Sequence, residues 1–248
     1  MRRLFRSSLA VGFALLVPTL APAADHGSHP DPAEAQTKLE EGNARFAAGE
    51  STFPRFGAER RQETAENGQH PFATVITCSD SRVPAEVLFD QGIGDVFVIR
   101  VAGNVCDTDE IGSIEYGVEH LGTPIMVVLG HTSCGAVTAV ATGAEVHGSI
   151  PPLVDNIEPA VAEAREAHPD LGDQALVPHA IEQNVWQSIE DLLTGSSMVR
   201  ARAADGRVKV VGAVYDIGSG RVEWLGEHPD TDTLVTGGEH HGHHGHDH

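Results

Sequence analysis

Phe72-Ala73-Thr74-Val75-Ile76-Thr77-Cys78-Ser79-Asp80-Ser81-Arg82 is an apolar, β-branched run that ends in a polar loop. Pro124-Ile125-Met126-Val127-Val128-Leu129-Gly130 does the same and leads into His131-Thr132-Ser133-Cys134-Gly135. Short runs of this composition predict buried strands of a parallel sheet. Both loops then fall at the carboxyl ends of strands, where open α/β sheets place their sites. Cys78, His131 and Cys134 form a candidate ligand set of two thiolates and one imidazole. Three protein ligands with a fourth position free is the pattern of catalytic rather than structural zinc. The plainer alternative is one His and two Cys buried as ordinary core residues. It suits an isolated H-x-x-C better than it suits two polar loops at strand ends.

Working outward, Ala33 to Gly49 predicts an amphipathic helix with Leu39 and Phe46 on one side and Gly49 as its stop. Arg55 to Asn67 predicts a second, polar helix. Pro84 to Phe89 predicts a short one, with Pro84 suited to a helix start. Asp95 to Val101 predicts the second strand. Gly103, just beyond it, permits close approach of the backbone to a metal pocket. Asp107 to Leu121 predicts a helix with acidic residues in its first turn. Ser133 to Thr142 predicts a helix whose N-terminus carries Cys134, where the macrodipole favours a thiolate. Helices follow over 150–171, 173–193 and 197–204. Arg207 to Asp216 predicts a strand that turns at Gly218-Ser219-Gly220 into Arg221 to Leu225, a hairpin. The expected fold class is α/β: a central, mostly parallel β-sheet flanked by helices, with an antiparallel edge strand. The 248 residues hold one such domain.

The pair C-S-D-S-R and H-T-S-C-G resembles the β-class carbonic anhydrases, over roughly Ala35 to Gly226. The resemblance implies that Cys78, His131 and Cys134 bind one Zn2+ per chain and that Asp80 and Arg82 form a catalytic dyad. It implies reversible hydration of CO2 to bicarbonate and a proton by a zinc-bound hydroxide. It also implies that Asp80, released by Arg82, can become the fourth zinc ligand and close the site. A homodimer or a dimer of dimers is expected on the same ground, with the N-terminal helix packed on a partner subunit. Some members carry a Trp three residues before the first Cys, as part of a regulatory bicarbonate pocket. Val75 stands there in this chain, so the resemblance does not extend to that pocket. Two other functions compete: a hydrolase of a CO2 analogue such as carbon disulfide on the same scaffold, and a periplasmic zinc-binding or zinc-buffering protein. The C-S-D-S-R loop weighs against the second, because a buffer has no need of Asp80 and Arg82 beside an open coordination position. A thiol oxidoreductase fits less well, since the chain has no C-x-x-C.

The ends of the chain read differently from its middle. Arg2, Arg3 and Arg6, the apolar stretch Leu9 to Leu20 and the Ala21-Pro22-Ala23 cleavage pattern predict a secretory signal peptide over 1–23. The apolar stretch is too short to span a membrane. The expected location is periplasmic or secreted, with no membrane attachment after signal cleavage. Arg2-Arg3-Leu4-Phe5 is also a partial twin-arginine match, and export after folding would protect the thiols from an oxidising compartment. Residues 24–34 read as a flexible lead-in, 35–226 as the enzyme domain, and 227–248 as a disordered, His-rich tail. An affinity tag is the other reading of that tail, although Gly and Asp interleave its histidines. The formal net charge of −20, with Lys38 and Lys209 as the two lysines, excludes nucleic acid and anionic membranes as partners. CO2 and bicarbonate are the expected small-molecule partners. The third cysteine, Cys106, reads as a small buried residue, with a reactive thiol as the alternative. His120, His147, His168 and His179 read as surface or helix-cap residues rather than proton relays.

Overall fold

The computed structural model describes residues 29–237. The expected signal peptide and residues 238–248 of the expected tail lie outside the described residues. Helix α1 (Pro32–Ala48) opens on a capping box in which Asp31 accepts from the Glu34 N–H and Glu34 reaches back, and it ends at Gly49. Helix α2 (Ala58–Asn67) precedes strand β1 (Ala73–Thr77), and α3 (Ala85–Leu88) precedes β2 (Val96–Arg100). A single 3-10 turn, Ala102–Asn104, leads to α4 (Thr108–Glu115), which runs on through one π turn, Tyr116–His120. Strand β3 (Ile125–His131) is followed by α5 (Gly135–Ala141), α6 (Pro151–Asp155), α7 (Glu158–Ala167), the long α8 (Asp173–Gly195) and α9 (Ser197–Ala204). Strands β4 (Lys209–Tyr215) and β5 (Val222–Gly226) and helix α10 (Thr231–Thr236) complete the described chain.

The strands form one sheet in the order β2-β1-β3-β4-β5, parallel except for β5, which pairs antiparallel with β4. This is the fold class expected. Alternate residues of the central strands point to opposite faces. Val75, Val127 and Leu129 join Leu39 of α1 and Phe89 in one core. Ile76, Met126 and Val128 face Ile114, Val185 and Ile189 in the other. Helix α8 lies very close to β3 and β4, because Gly130 and Gly212 leave room for Val185. A Cβ on either glycine would come within 2.8 Å of that side chain.

The connectivity positions the site. From β1 the chain moves to β2 on one side, and β3 then takes the other side of β1. The carboxyl ends of β1 and β3 therefore flank the switch point of the sheet, where α/β folds open a crevice. Cys78 directly follows β1, and His131 ends β3.

Two expected boundaries move. The helix was expected from Ala33 and the lead-in to residue 34, and α1 begins at Pro32, because Asp31 caps it. The disordered tail was expected from 227, yet residues 227–237 are packed on the domain. Leu234 is 2 % exposed within a core that includes Leu192 and Val199. His228 bridges to Glu190 at 3.1 Å and meets the Trp186 ring edge-on. Leu234 and His228 anchor this mainly polar stretch.

Candidate metal centre

Cys78, His131 and Cys134 converge from three elements. One ligand atom from each lies within 4.8 Å of the other two. All three are buried, His131 at 0 %, Cys134 at 1 % and Cys78 at 5 % exposure. Cys134 is the N-cap residue of α5, so the tight turn 131–134 carries two of the three donors. Ser133 within that turn has a φ of 58°, a left-handed conformation that brings His131 and Cys134 onto one side.

The donor set fits a zinc ion. His131 Nδ1–H donates to the Thr132 carbonyl at 2.9 Å, so Nε2 is the ring nitrogen left for a metal. That Nε2 is buried and has no hydrogen-bond partner, a costly state for a ring nitrogen unless a cation takes its lone pair. Cys78 Sγ receives the Gly103 N–H at 3.3 Å and the Asp80 N–H at 3.4 Å. The Cys134 thiol and these two amides hold Cys78 as a thiolate, well below the ordinary thiol range, against the opposing effect of burial. Without a cation, Cys134 keeps the shared proton, because it faces the Cys78 thiolate and is buried. The helix N-terminus alone was expected to favour a thiolate at Cys134. A neighbouring thiolate a few ångströms away outweighs it, and only a cation between them lets both ionise.

The dyad residues sit beside this centre. Asp80 Oδ1 accepts from the Arg82 backbone N–H at 2.9 Å and from Nε at 2.9 Å, and Oδ2 accepts from a terminal guanidinium nitrogen at 2.6 Å. The Arg82 guanidinium holds the Asp80 carboxyl well below the usual carboxylate range, and Asp80 raises Arg82 in return. Arg82 also reaches the Ser133 carbonyl at 3.4 Å, which ties the C-S-D-S-R loop to the H-T-S-C turn.

Gly103 lies where it was expected, against the metal pocket, while Asn184, Ser188 and Arg100 around it were not picked out from the sequence. Gly103 has a φ of +76°, and a Cβ there would meet Ile157 at 2.6 Å, so its amide reaches Cys78 only as glycine. The Gly103 carbonyl accepts from Asn184 at 2.7 Å, and the Asn104 carbonyl from Ser188 at 3.0 Å, so α8 braces this turn. Arg100 ends β2 with donors on the backbone of the Cys78 loop. A charged residue at the carboxyl end of a strand, on the same edge as the ligands, was the available signal. Cys106 is buried away from the centre, and burial with nearby Asp191 and Glu110 pushes its thiol well up, so it is the inert residue expected. His120, His147 and His179 are exposed and His168 is half-buried.

Comparison with known proteins agrees with this geometry. The carbonic anhydrase family model matches residues 73–222. A carbonic anhydrase of Mycolicibacterium smegmatis is 40 % identical over 197 residues, 78 % of this chain and 93 % of that protein. The β-carbonic anhydrase CafA of Aspergillus fumigatus superposes with a TM-score of 0.62 at 28 % identity, covering 82 % of this chain and 94 % of that one. A tetrameric β-carbonic anhydrase of Sordaria macrospora gives a TM-score of 0.60 at 27 % identity, over 68 % of this chain and 92 % of that one. With this sheet order and this ligand turn, those matches make the chain an enzyme of the β-carbonic anhydrase family.

Proposed function

We propose that this carbonic anhydrase interconverts CO2 and bicarbonate at one zinc ion per chain, held by Cys78, His131 and Cys134. The observation that carries this reading is the buried, unpartnered His131 Nε2 facing two cysteine sulfurs within 4.8 Å. A zinc ion bound there supplies Lewis-acid activation of water at near-neutral pH. The two thiolates donate more charge than imidazoles would, so that activation is milder than in an all-histidine site.

Asp80 aims the reaction. A carboxylate has about four acceptor sites, and Arg82 fills three of them. The remaining site, on Oδ2, is left to accept a hydrogen bond from the attacking water. Because Arg82 keeps Asp80 ionised throughout the working range, Asp80 orients that water as an acceptor and is too weak a base to store its proton. Held by Arg82, the carboxylate would stay off a metal ion bound by Cys78, His131 and Cys134. The Asp80–Arg82 pair favours this reading over zinc buffering, which needs neither side chain.

The assembly and address of the protein belong to the same reading. The outer edge of β2 has no strand partner within the described residues, and Tyr116 beside it is 47 % exposed and packs on Phe97. An open edge flanked by aromatics supports a dimer or a dimer of dimers, as does the tetrameric relative. Residues 1–23 direct export to the periplasm or the medium. No helix among the described residues is long and apolar enough to cross a membrane. Six histidines among residues 240–248 collect zinc and raise its concentration near the domain.

The test is stopped-flow CO2 hydration at about pH 8.5, before and after zinc removal, with zinc counted per chain. We expect one zinc per chain and activity that disappears with the metal and returns with it. Undiminished hydration by metal-free protein would reject the site. One bound zinc with no hydration would point to a site closed by Asp80 or to an analogue substrate.

A further inference from the structure

Arg100 ends the edge strand β2, across from Thr77 in the register. Its side chain reaches over the end of β1 to the loop that carries a zinc ligand and the dyad. Nε donates to the Cys78 carbonyl at 3.3 Å, and a terminal nitrogen donates to the Asp80 carbonyl at 2.6 Å. One planar fork thus spans both ends of the Cys78-Ser79-Asp80 segment. The middle residue is tied as well, since the Ser79 N–H donates to the Val101 carbonyl at 3.1 Å.

The two arginines of the site divide the task. Arg82 holds the Asp80 side chain, and Arg100 holds the Asp80 backbone. The distance from Cys78 to the Asp80 carboxylate depends on the torsions of Ser79 and Asp80, the segment that Arg100 clamps. A carboxylate two residues from a proposed zinc ligand would come within reach of a bound metal if this segment rotated. Holding both flanking carbonyls opposes that rotation, and a guanidinium suits the task because its donors are fixed in one plane. Arg100 is exposed, so no core packing depends on it.

We propose that Arg100 is a positioning residue for the reaction, clamping the Cys78–Asp80 segment so that Asp80 stays on Arg82 and off the metal. The inference rests on the reading above, in which Cys78 binds zinc and Asp80 aims the water. It predicts that Arg100→Ala loses roughly 10- to 100-fold in kcat/KM, mostly in kcat, as partners one shell out from a metal ligand do. Zinc stoichiometry and melting temperature stay near those of the unaltered protein. Guanidinium ion at millimolar concentration restores part of the rate. Arg100→Lys restores little, because a point charge cannot bridge both carbonyls. The visible absorption of the Co2+-loaded Arg100→Ala protein differs from that of the unaltered protein, because the carboxylate enters the coordination sphere.

Full activity with an unchanged Co2+ spectrum in Arg100→Ala would overturn the proposal. A loss of activity matched by a loss of melting temperature, without guanidinium rescue, would also overturn it, since that is a purely structural role. If Arg100→Ala does not fold, Arg100→Gln, which keeps a planar donor, provides the same comparison. Asp80→Asn, run in parallel, separates the two levels. If Asp80→Asn keeps full activity, the underlying reading fails. If only Arg100→Ala does, the clamp alone fails.

Discussion

Asp80 receives three N–H groups from Arg82, one from the backbone and two from the guanidinium. Removing the guanidinium leaves one, and the carboxylate becomes free to turn toward a nearby cation. Arg82→Ala is therefore expected to retain its zinc and its fold while losing roughly 10- to 100-fold in kcat/KM. Arg82→Lys should recover little of this, for want of a bidentate fork. Stopped-flow rates beside zinc content check the prediction, and full activity in Arg82→Ala would remove the dyad from the mechanism. Asp90 shows the same pairing used for stability. Its side chain is fully buried and takes Arg45 Nε at 2.6 Å, the Thr52 amide and hydroxyl at 3.0 Å, and the Phe53 amide at 2.8 Å. Burial pushes its carboxyl up, but these donors outweigh burial and hold it at about 2. The folded value lies below the unfolded one, near 4. The stabilisation is thus present above pH 4 and is lost as the pH falls toward 2. Asp90→Asn should cost about 2 kcal/mol at pH 7, and the difference should close between pH 4 and pH 2. Urea titrations across that range check it, and a gap independent of pH would mean that packing rather than charge is at stake.

Among elements, α1 is held to its neighbours by a buried polar side chain as well as by its apolar face. Asn43 is buried within the helix and donates to the Leu88 carbonyl at 3.1 Å and to the Gly220 carbonyl at 2.9 Å, while its oxygen accepts the Val222 N–H at 2.8 Å. It joins α1 to the end of α3 and to the β4–β5 turn. Asn43→Ala strands three backbone groups, at a cost of roughly 2 to 4 kcal/mol. For a domain of this size that lowers the melting temperature by about 2 to 4 °C per kcal/mol, which scanning calorimetry can read. Every strand and nearly every helix was legible in the sequence, because β-branched runs, caps and glycine stops are local signals. The clustering of Cys78, His131 and Cys134 was legible because two soft-donor residue types recur at two strand ends. Asn43 and Asn184 were not, since each acts on backbone far away in sequence and a lone polar residue in a helix gives no hint of its partner, and Arg100 showed its charge at a strand end but not the carbonyls it holds. The packing of α10 was hidden for the same reason: Leu234 finds its core only once α8 and α9 are in place.

At the scale of the whole molecule, the candidate metal centre joins the two halves of the sheet. Cys78 follows β1, His131 ends β3 and Cys134 starts α5, so a bound zinc ion cross-links segments that the unfolded chain keeps apart. A ligand that binds only the folded state stabilises it by about 4 kcal/mol when its free concentration is 1,000 times Kd. At about 2 to 4 °C per kcal/mol, zinc should raise the melting temperature by roughly 8 to 16 °C, and His131→Ala should abolish the rise. The six histidines of residues 240–248 bring in a second binder of the same ion. They are remote from the core in sequence and can bind zinc whether the domain is folded or not. Binding of equal strength to both states cancels in the folding equilibrium. Deleting 238–248 should therefore leave the zinc-induced shift unchanged when free zinc is fixed by a metal buffer. The tail can act only where zinc is scarce and unbuffered, by raising local concentration and speeding capture. There, the truncated protein should gain activity from the metal-free state more slowly at one zinc per chain. If truncation instead reduces the shift at buffered zinc, the histidines are contributing to the folded centre itself. If it changes neither quantity, they have no part in loading the enzyme.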